Sequence, residues 1–233
     1  MASSKLFESP AESLSDLRDK ASIMVGGFGL CGNPEALIDA VAASGHRDLT
    51  IISNNCGNQG QGLAVLLKNR QVGAWKGSFM GGNPDIQEQY AAGLVDVELV
   101  PQGTLAERIR AGGAGIPAFF TPTGVGTVVA EGKEERTFDG KRAIMERGLR
   151  ADYALIRARR ADTYGNVQFY GTTQNFQIAM AMAGRTTIVE ADTIVELGEI
   201  PPDDVHLPGV FVQRIVEVTN HRDPIEYRTT RPR

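Results

Sequence analysis

The chain has 233 residues, of which 42% are hydrophobic and 22% are charged, and its formal net charge is −4. These proportions are typical of a globular protein, and the length is sufficient for a substantial core. The acidic balance, without a block of Lys and Arg, argues against a nucleic-acid surface. No apolar run is long enough to span a membrane, and residues 1–14 lack the apolar stretch of a signal peptide. We therefore expect a cytoplasmic protein that binds neither nucleic acid nor membrane.

Apolar runs and helical patterns alternate along most of the chain. The sequence predicts strands at residues 21–25, 49–52, 74–79, 95–100, 151–158, 166–169 and 186–190, with a last one inside 208–218. It predicts helices at residues 34–43, 63–68, 85–92, 104–111 and 176–183, with Gly45 ending the first of them. Residues 112–126 are rich in Gly and Pro and are not expected to be regular throughout. The alternation predicts an α/β fold in three layers, an open, mostly parallel sheet with helices on both faces.

A glycine-rich loop joins the first of these strands to the first of these helices. It consists of Gly26, Gly27, Phe28, Gly29, Leu30, Cys31 and Gly32. Glycines leave room for backbone N–H groups to close on a ligand, and a helix N-terminus attracts negative charge. The loop is therefore predicted to bind an anionic group.

The same loop also fits the dinucleotide pattern G-x-G-x-x-G at Gly27, Gly29 and Gly32. That pattern needs an acidic residue at the end of the following strand, to hold the ribose. The following strand ends in Ser53-Asn54-Asn55, without a carboxylate. A nicotinamide dehydrogenase is therefore only a secondary hypothesis, which NAD binding by calorimetry would test.

Polar side chains follow two further predicted strands. Asn54 and Asn55 are suited to binding a substrate carboxylate or carbonyl, although Asn in turns also commonly bonds to its own backbone. Gln102 lies between a strand and a helix, where its amide either donates to a developing oxyanion or only satisfies the turn. Ligands of parallel α/β sheets bind at the carboxyl ends of strands, so these residues are expected to converge with the glycine loop.

The remaining reactive side chains have structural explanations. Thr104 and Glu107 have the spacing of a capping box, and Asn175 precedes a predicted helix that it is expected to cap. Cys31 and Cys56 are expected to be free thiols, and the three scattered histidines predict no metal site. The chain thus offers donors without a convincing nucleophile, which suggests half of an active site completed by another chain.

Several segments together resemble the A (alpha) subunit of class I CoA-transferases, nearest to the 3-oxoacid CoA-transferases that use succinyl-CoA. The segments are residues 25–35 (VGGFGLCGNPE), 53–55 (SNN), 101–115 (PQGTLAERIRAGGAG), 117–124 (PAFFTPTG) and 208–212 (PGVFV). The resemblance covers nearly the whole chain, residues 1–233, as one A-subunit domain.

The resemblance implies a ping-pong reaction in which a glutamate attacks the acyl-CoA and carries CoA as a thioester to a second carboxylic acid. That glutamate would belong to a B subunit, in a heterodimer or heterotetramer. Gln102 would be the oxyanion donor, Asn54 and Asn55 would bind substrate, and Gly26–Gly32 would contact CoA. No permanently bound cofactor is expected, since the CoA thioester is itself a substrate of this ketone-body chemistry.

Two segments depart from the pattern of the family. Residues 81–83 read Gly-Gly-Asn where relatives often have Gly-Glu-Asn, and residues 171–174 lack a basic residue and an Ala-Arg pair. These departures bear on the acceptor acid, so that 3-oxoadipate or acetate are alternatives to acetoacetate. A CoA- or nucleotide-binding module without catalysis is the alternative from another class.

Overall fold

The computed structural model describes residues 4–58, 60–222 and 224. Its strands are β1 (Leu6–Phe7), β2 (Ser22–Val25), β3 (Leu49–Ile52), β4 (Val72–Gly77), β5 (Asp96–Leu99), β6 (Ala118–Thr121), β7 (Glu135–Phe138), β8 (Lys141–Arg147), β9 (Ala151–Asp162), β10 (Val167–Gln168), β11 (Gly184–Val195) and β12 (Arg214–Glu217). Its α-helices are α1 (Pro10–Ser13), α2 (Glu35–Ser44), α3 (Ala64–Lys68), α4 (Pro84–Ala91), α5 (Gln102–Gly113) and α6 (Gln177–Ala183).

Within the described residues, nine strands form one sheet in the order β1-β12-β11-β9-β2-β3-β4-β5, with β10 added to β9. All pairs are parallel except β10 with β9. The predicted mostly parallel sheet is therefore confirmed. Its strands are buried, apolar runs such as Leu49–Ile52, as a sheet covered on both faces requires.

Helices cover both faces of this sheet. On one face, α2 packs with Leu37, Ile38 and Val41, whose spacing places them on one side of the helix, and α3 and α4 lie beside it. On the other face, α5 and α6 pack against Met24 and Ile52. The predicted three layers are confirmed, and α2 ends at Gly45 (φ 71°), as predicted.

A small antiparallel sheet of β6, β8 and β7 was not predicted from the sequence. Its hairpin turns at Asp139 (φ 49°) and Gly140 (φ 76°), the Asp-Gly pair that favours a tight two-residue turn. β7 gave no strand signal because it is exposed along its whole length and carries no apolar alternation. This sheet packs on α5 through β6 and β8.

Candidate functional site

The predicted ligand loops lie at one edge of the main sheet. Strands β2, β3, β4 and β5 are parallel neighbours, so the segments that follow them all leave at the carboxyl edge. These segments include the glycine loop after β2, Asn54 and Asn55 after β3, and Gln102 after β5. The topology thus brings every predicted site residue to the edge where parallel α/β sheets bind ligands.

The glycine loop is a tight turn with a defined backbone. Phe28 and Cys31 exchange two backbone hydrogen bonds, each 3.0 Å long. Gly27 (φ 123°), Gly29 (φ 61°) and Gly32 (φ 80°) have backbone conformations that side chains rarely allow. The glycines are therefore required by the shape of the loop itself, whatever it binds.

Two residues of the α6 region hold this loop in place, and sequence reasoning gave neither of them that role. Asn175 accepts a hydrogen bond from the Gly27 N–H and donates to the Cys31 carbonyl, both at 3.1 Å. The fully buried Gln177 donates to the Gly32 carbonyl at 2.7 Å. Asn175 also accepts from the N–H of Phe176 next to it, but the N-cap of α6 is Phe176 and receives no side-chain capping bond, so the prediction that Asn175 caps this helix is wrong.

The clamped loop keeps some of its backbone donors unused. In the described part of the chain, the N–H groups of Gly29, Gly32 and Asn33 donate to no protein atom. The Phe28 side chain beside them is 51% exposed. Gly29 is partly exposed, whereas Gly32 and Asn33 are buried, so the Gly29 N–H is the most accessible of these three donors.

At the start of α2, by contrast, a side chain of the protein itself accepts a backbone hydrogen bond. The Glu190 carboxylate, from β11, accepts a hydrogen bond from the Leu37 N–H at 3.0 Å. His221 Nδ1 lies 2.8 Å from the other oxygen of the same carboxylate. The positive end of the α2 dipole is therefore already compensated by a carboxylate of the chain itself, since a carboxylate at an N-terminus is stabilised in the same way as a bound anion.

A second carboxylate, Glu35, lies behind the loop and is also buried. It accepts a hydrogen bond from the Asn33 side chain at 3.1 Å, and Arg222 lies 3.7 Å away. Burial raises the pKa of the Glu35 carboxyl, a shift that the bond from Asn33 opposes in part. Glu35 and Glu190 are thus enclosed and bonded to protein, so neither can act as a nucleophile towards a substrate.

The two asparagines after β3 differ in how many of their side-chain hydrogen-bonding groups are unpaired within the described residues. Asn55 Oδ1 accepts from the Gly57 N–H at 3.3 Å, the local turn that such residues commonly form. The Asn54 side chain is 5% exposed and makes no hydrogen bond within the described residues. Asn54 therefore keeps all of its side-chain donors and acceptors, whereas Asn55 keeps its amide nitrogen and one of the two acceptor sites of its oxygen.

Gln102 is the first residue of α5 and is exposed. Its side chain has no hydrogen-bond partner in the part of the chain that the structure describes. The predicted capping box is wrong, because Pro101 is the N-cap and Thr104 lies inside the helix. Glu107 instead binds Arg110 through two hydrogen bonds of 2.7 and 2.8 Å. The amide of Gln102 is thus exposed and unpaired within the described residues.

A chain of charges fixes α5 to both sheets. Arg108, on α5, lies 2.5 Å from Glu98 of β5 and 3.7 Å from the buried Glu146 of β8. Lys76 lies 2.6 Å from Glu98, and Lys133 lies 2.6 Å from Glu146. Burial raises the pKa of Glu98, but hydrogen bonds from Lys76 and Arg108 outweigh it and hold that pKa below its ordinary value. The start of α5, with Gln102, is therefore held at a fixed place.

The two cysteines lie in different environments in this arrangement. Burial raises the pKa of the Cys56 thiol to about 12. Cys31 Sγ lies 3.5 Å from the Thr172 hydroxyl, and both cysteines are free thiols. Among the described residues, no group of His, Cys, Asp and Glu is arranged to hold a metal ion.

Residues 7–218 match the sequence profile of the family described as Coenzyme A transferase. The chain belongs to the coenzyme A transferase family. It is therefore part of an enzyme whose family acts on CoA thioesters. None of the helices in the described part has the length and apolar character needed to cross a bilayer.

Curated relatives are similar over almost their whole length. The chain is 55% identical over 213 residues to a protein of Xanthomonas campestris pv. campestris (strain B100), covering 91% of this chain and 88% of that protein. That relative is named as the A subunit of succinyl-CoA:3-ketoacid coenzyme A transferase. A protein of Bacillus subtilis (strain 168), named as a probable subunit of the same type, is 49% identical over 225 residues, with coverage of 97% and 94%.

Solved coenzyme A transferases share the fold. An acyl-CoA transferase of Escherichia coli O157:H7, crystallised as a thioester complex with CoA, matches with a TM-score of 0.85 at 23% identity, over 94% of this chain. The chain spans about half of that protein, 48% of its length. Glutaconate coenzyme A-transferase from Acidaminococcus fermentans matches with a TM-score of 0.82 at 20% identity, over 92% of this chain and 75% of that one.

The two segments that depart from the family pattern have structural roles here. Asn83 caps α4 by accepting from the Asp85 N–H at 3.0 Å, and its amide donates to the Cys56 carbonyl at 2.8 Å. In the second segment, residues 171–174 form a 3-10 turn, whose Thr173 carbonyl accepts from Gln177 at 3.0 Å. Both segments therefore support loops of the carboxyl edge without contributing a charge.

Proposed function

We propose that this chain is the A subunit of a two-component CoA-transferase that moves CoA from succinyl-CoA to a 3-oxoacid such as acetoacetate. The observation that carries the proposal is the similarity, at 49% and 55% identity, to proteins named as the A subunit of succinyl-CoA:3-ketoacid coenzyme A transferase. Residues 1–233 would act as one domain. The compartment would be the cytoplasm, and no cofactor would be bound permanently.

Residues at the carboxyl edge of the sheet would carry the A subunit's part of this reaction. Gln102 would donate to the oxyanion that forms when a carboxylate attacks the thioester, since preorganised amide donors stabilise such charge. Asn54, and Asn55 through its amide nitrogen, would bind the acid. The loop from Gly26 to Gly32 would bind CoA through its unused N–H groups.

A partner would supply the nucleophile. Glu35 and Glu190 are enclosed, and burial raises the pKa of the Cys56 thiol to about 12, so these three described residues supply neither a reactive carboxylate nor a thiolate at neutral pH. Phe28 and Phe79 are 51% and 59% exposed at the carboxyl edge, where a B subunit would cover them. The assembly would be a heterodimer or a heterotetramer, with the attacking glutamate on the B subunit.

The experiment is to co-express the chain with the B-type subunit encoded beside it and to follow acetoacetyl-CoA formation from succinyl-CoA. We expect activity from the pair and none from this chain alone. Because segments 81–83 and 171–174 lack charges that relatives carry, the assay should include 3-oxoadipate and acetate as acceptors. CoA binding without turnover in any complex would contradict the proposal and favour a non-catalytic binding module.

A further inference from the structure

Ser78 follows β4 at the carboxyl edge and carries an unexplained buried hydroxyl. Its Oγ is enclosed by protein and has no hydrogen-bond partner among the residues that the structure describes. Ser53, on the neighbouring strand, is different, because its hydroxyl donates to the Asn55 carbonyl at 2.5 Å and accepts from Trp75 Nε1 at 2.9 Å. An unpaired buried hydroxyl destabilises a fold, and native structures keep few of them. The Ser78 hydroxyl therefore calls for a functional explanation.

The residue opposite Ser78 is Asn54. The Ser78 N–H donates to the Asn54 carbonyl at 2.9 Å, and the next pair along the strands, Asn55 and Phe79, forms a parallel bridge. Neighbouring strands lie about 5 Å apart, and paired residues point to the same face of the sheet. The unpaired hydroxyl of Ser78 and the unpaired amide of Asn54 are thus adjacent.

Both side chains lie on the face that α5 covers. Ile52 packs in the cluster with α5 and α6, and Asn54, two residues further, points to the same face. Lys76 lies on this face too, since it shares its carboxylate partner with an arginine of α5, and Ser78 is again two residues further. The pair therefore lies on the side of the edge where α5 begins with Gln102.

We propose that Ser78 is a positioning residue that orients the Asn54 amide for the carboxylate of the acid substrate. Rotation about the side-chain bonds lets the Ser78 hydroxyl donate to Asn54 Oδ1. Asn54 Oδ1 then accepts this hydrogen bond, and both hydrogens of Nδ2 remain available to donate to the substrate carboxylate. The flipped amide would present an oxygen to the carboxylate and repel it. This inference rests on the proposed function, because it assumes that the acid binds at this edge.

The test compares Ser78→Ala, Asn54→Ala and the double variant in the complex with the B subunit. We expect Ser78→Ala to raise KM for the acceptor acid about tenfold, with a smaller change in kcat, and to leave Tm unchanged or higher, since it removes an unpaired hydroxyl. Ser78→Thr, which keeps the hydroxyl, should restore KM. In the Asn54→Ala background, Ser78→Ala should add no further loss.

The inference is overturned if Ser78→Ala has the wild-type KM, or if its effect multiplies with that of Asn54→Ala. The wild-type pair is assayed first, so that failure of the proposed function is seen separately. An activity-independent readout is the side-chain amide signal of Asn54 in the full-length chain labelled with ¹⁵N-asparagine, assigned by its loss in Asn54→Ala. This signal should shift in Ser78→Ala, and an unchanged signal contradicts the inference whether or not the pair is active.

Discussion

The side-chain amide of Gln177 donates to the carbonyl oxygen of Gly32 at 2.7 Å, across 145 positions of sequence. The same amide donates to the Thr173 carbonyl at 3.0 Å, and its oxygen accepts from the Arg157 N–H at 3.3 Å. One buried glutamine therefore joins α6, β9 and the glycine loop, and the shape of the loop depends on it.

Gly26 lies against the Gln177 amide, so that a side chain at this position would disturb the hydrogen bonds of Gln177. A Cβ at Gly26 would lie 1.9 Å from Gln177 Oε1, so Gly26→Ala should push the amide away from its three partners. We expect a lower Tm, measured by calorimetry, and weaker binding of CoA. The matched control is Gly103→Ala, in α5, where an added Cβ has no atom within 4 Å. The control should be neutral or stabilise the fold by up to about 1 kcal/mol. Equal Tm values for Gly26→Ala and wild type would contradict the packing described.

Gln102→Ala should affect catalysis without affecting the fold. Removing one oxyanion donor lowers kcat by roughly 100- to 1000-fold in other enzymes, and we expect a loss of that order in the complex with the B subunit. Tm should not change, because the Gln102 side chain is exposed and makes no hydrogen bond in the described chain. Glu107→Gln, on the same helix, is the control and should keep its kcat. A kcat for Gln102→Ala within twofold of wild type would remove Gln102 from the site.

Glu35 should make stability depend on pH in a defined direction. Burial raises its pKa in the folded chain above the ordinary value of 4.5, so the folded state binds the proton more tightly than the unfolded state. The stability of wild type relative to Glu35→Gln should therefore be greatest below that value and fall as pH rises through the folded pKa.

Glu107→Gln provides the contrast for this measurement. The hydrogen bond from Arg110 lowers the pKa of Glu107, so wild type should gain stability relative to this variant as pH rises through the lowered folded pKa towards the ordinary value of 4.5, and should keep that gain above it. Denaturant unfolding at several pH values gives, for each variant, the slope of its stability difference from wild type against pH. Slopes of the same sign for the two variants would contradict the burial of Glu35.

Arg108→Met tests the charges that hold α5. The substitution leaves Glu98 and Glu146 with one lysine each, so we expect a loss of about 3 kcal/mol in the free energy of unfolding, at the lower end for a broken buried ion pair. Arg110→Met breaks an exposed pair on the same helix and should cost about 1 kcal/mol or less. Similar losses for the two variants, measured by urea unfolding, would show that burial does not matter here.

The two cysteines should react differently with a thiol reagent. Cys56 is 1% exposed and burial raises its pKa to about 12, so its thiolate is negligible at neutral pH. Cys31 is partly exposed, and we expect one reactive thiol in the native full-length chain and two in denaturant. Cys31→Ser should abolish the native reaction. Rapid modification of Cys56 in that variant would contradict its burial.

The sequence was sufficient for the main sheet because its strands are short apolar runs separated by turn residues. Leu49–Ile52 is such a run, and its polar ending at Asn54 pointed to the ligand edge. The small sheet lacked this signal, since β7 is exposed throughout. The residues that clamp the glycine loop could not be predicted, because Asn175 and Gln177 bond across more than 140 positions. Only the fold brings such pairs together.

The carboxylate at the start of α2 has a practical consequence for redesign. In many phosphate-binding loops the anion lies at the N-terminus of the following helix. In this protein the Glu190 carboxylate already lies at the N-terminus of α2. Under the proposed function, variants intended to accept a different acid should therefore be sought at Asn54. Acidic substitutions at Leu37 or its neighbours would place a second negative charge beside Glu190 and are expected to destabilise the fold.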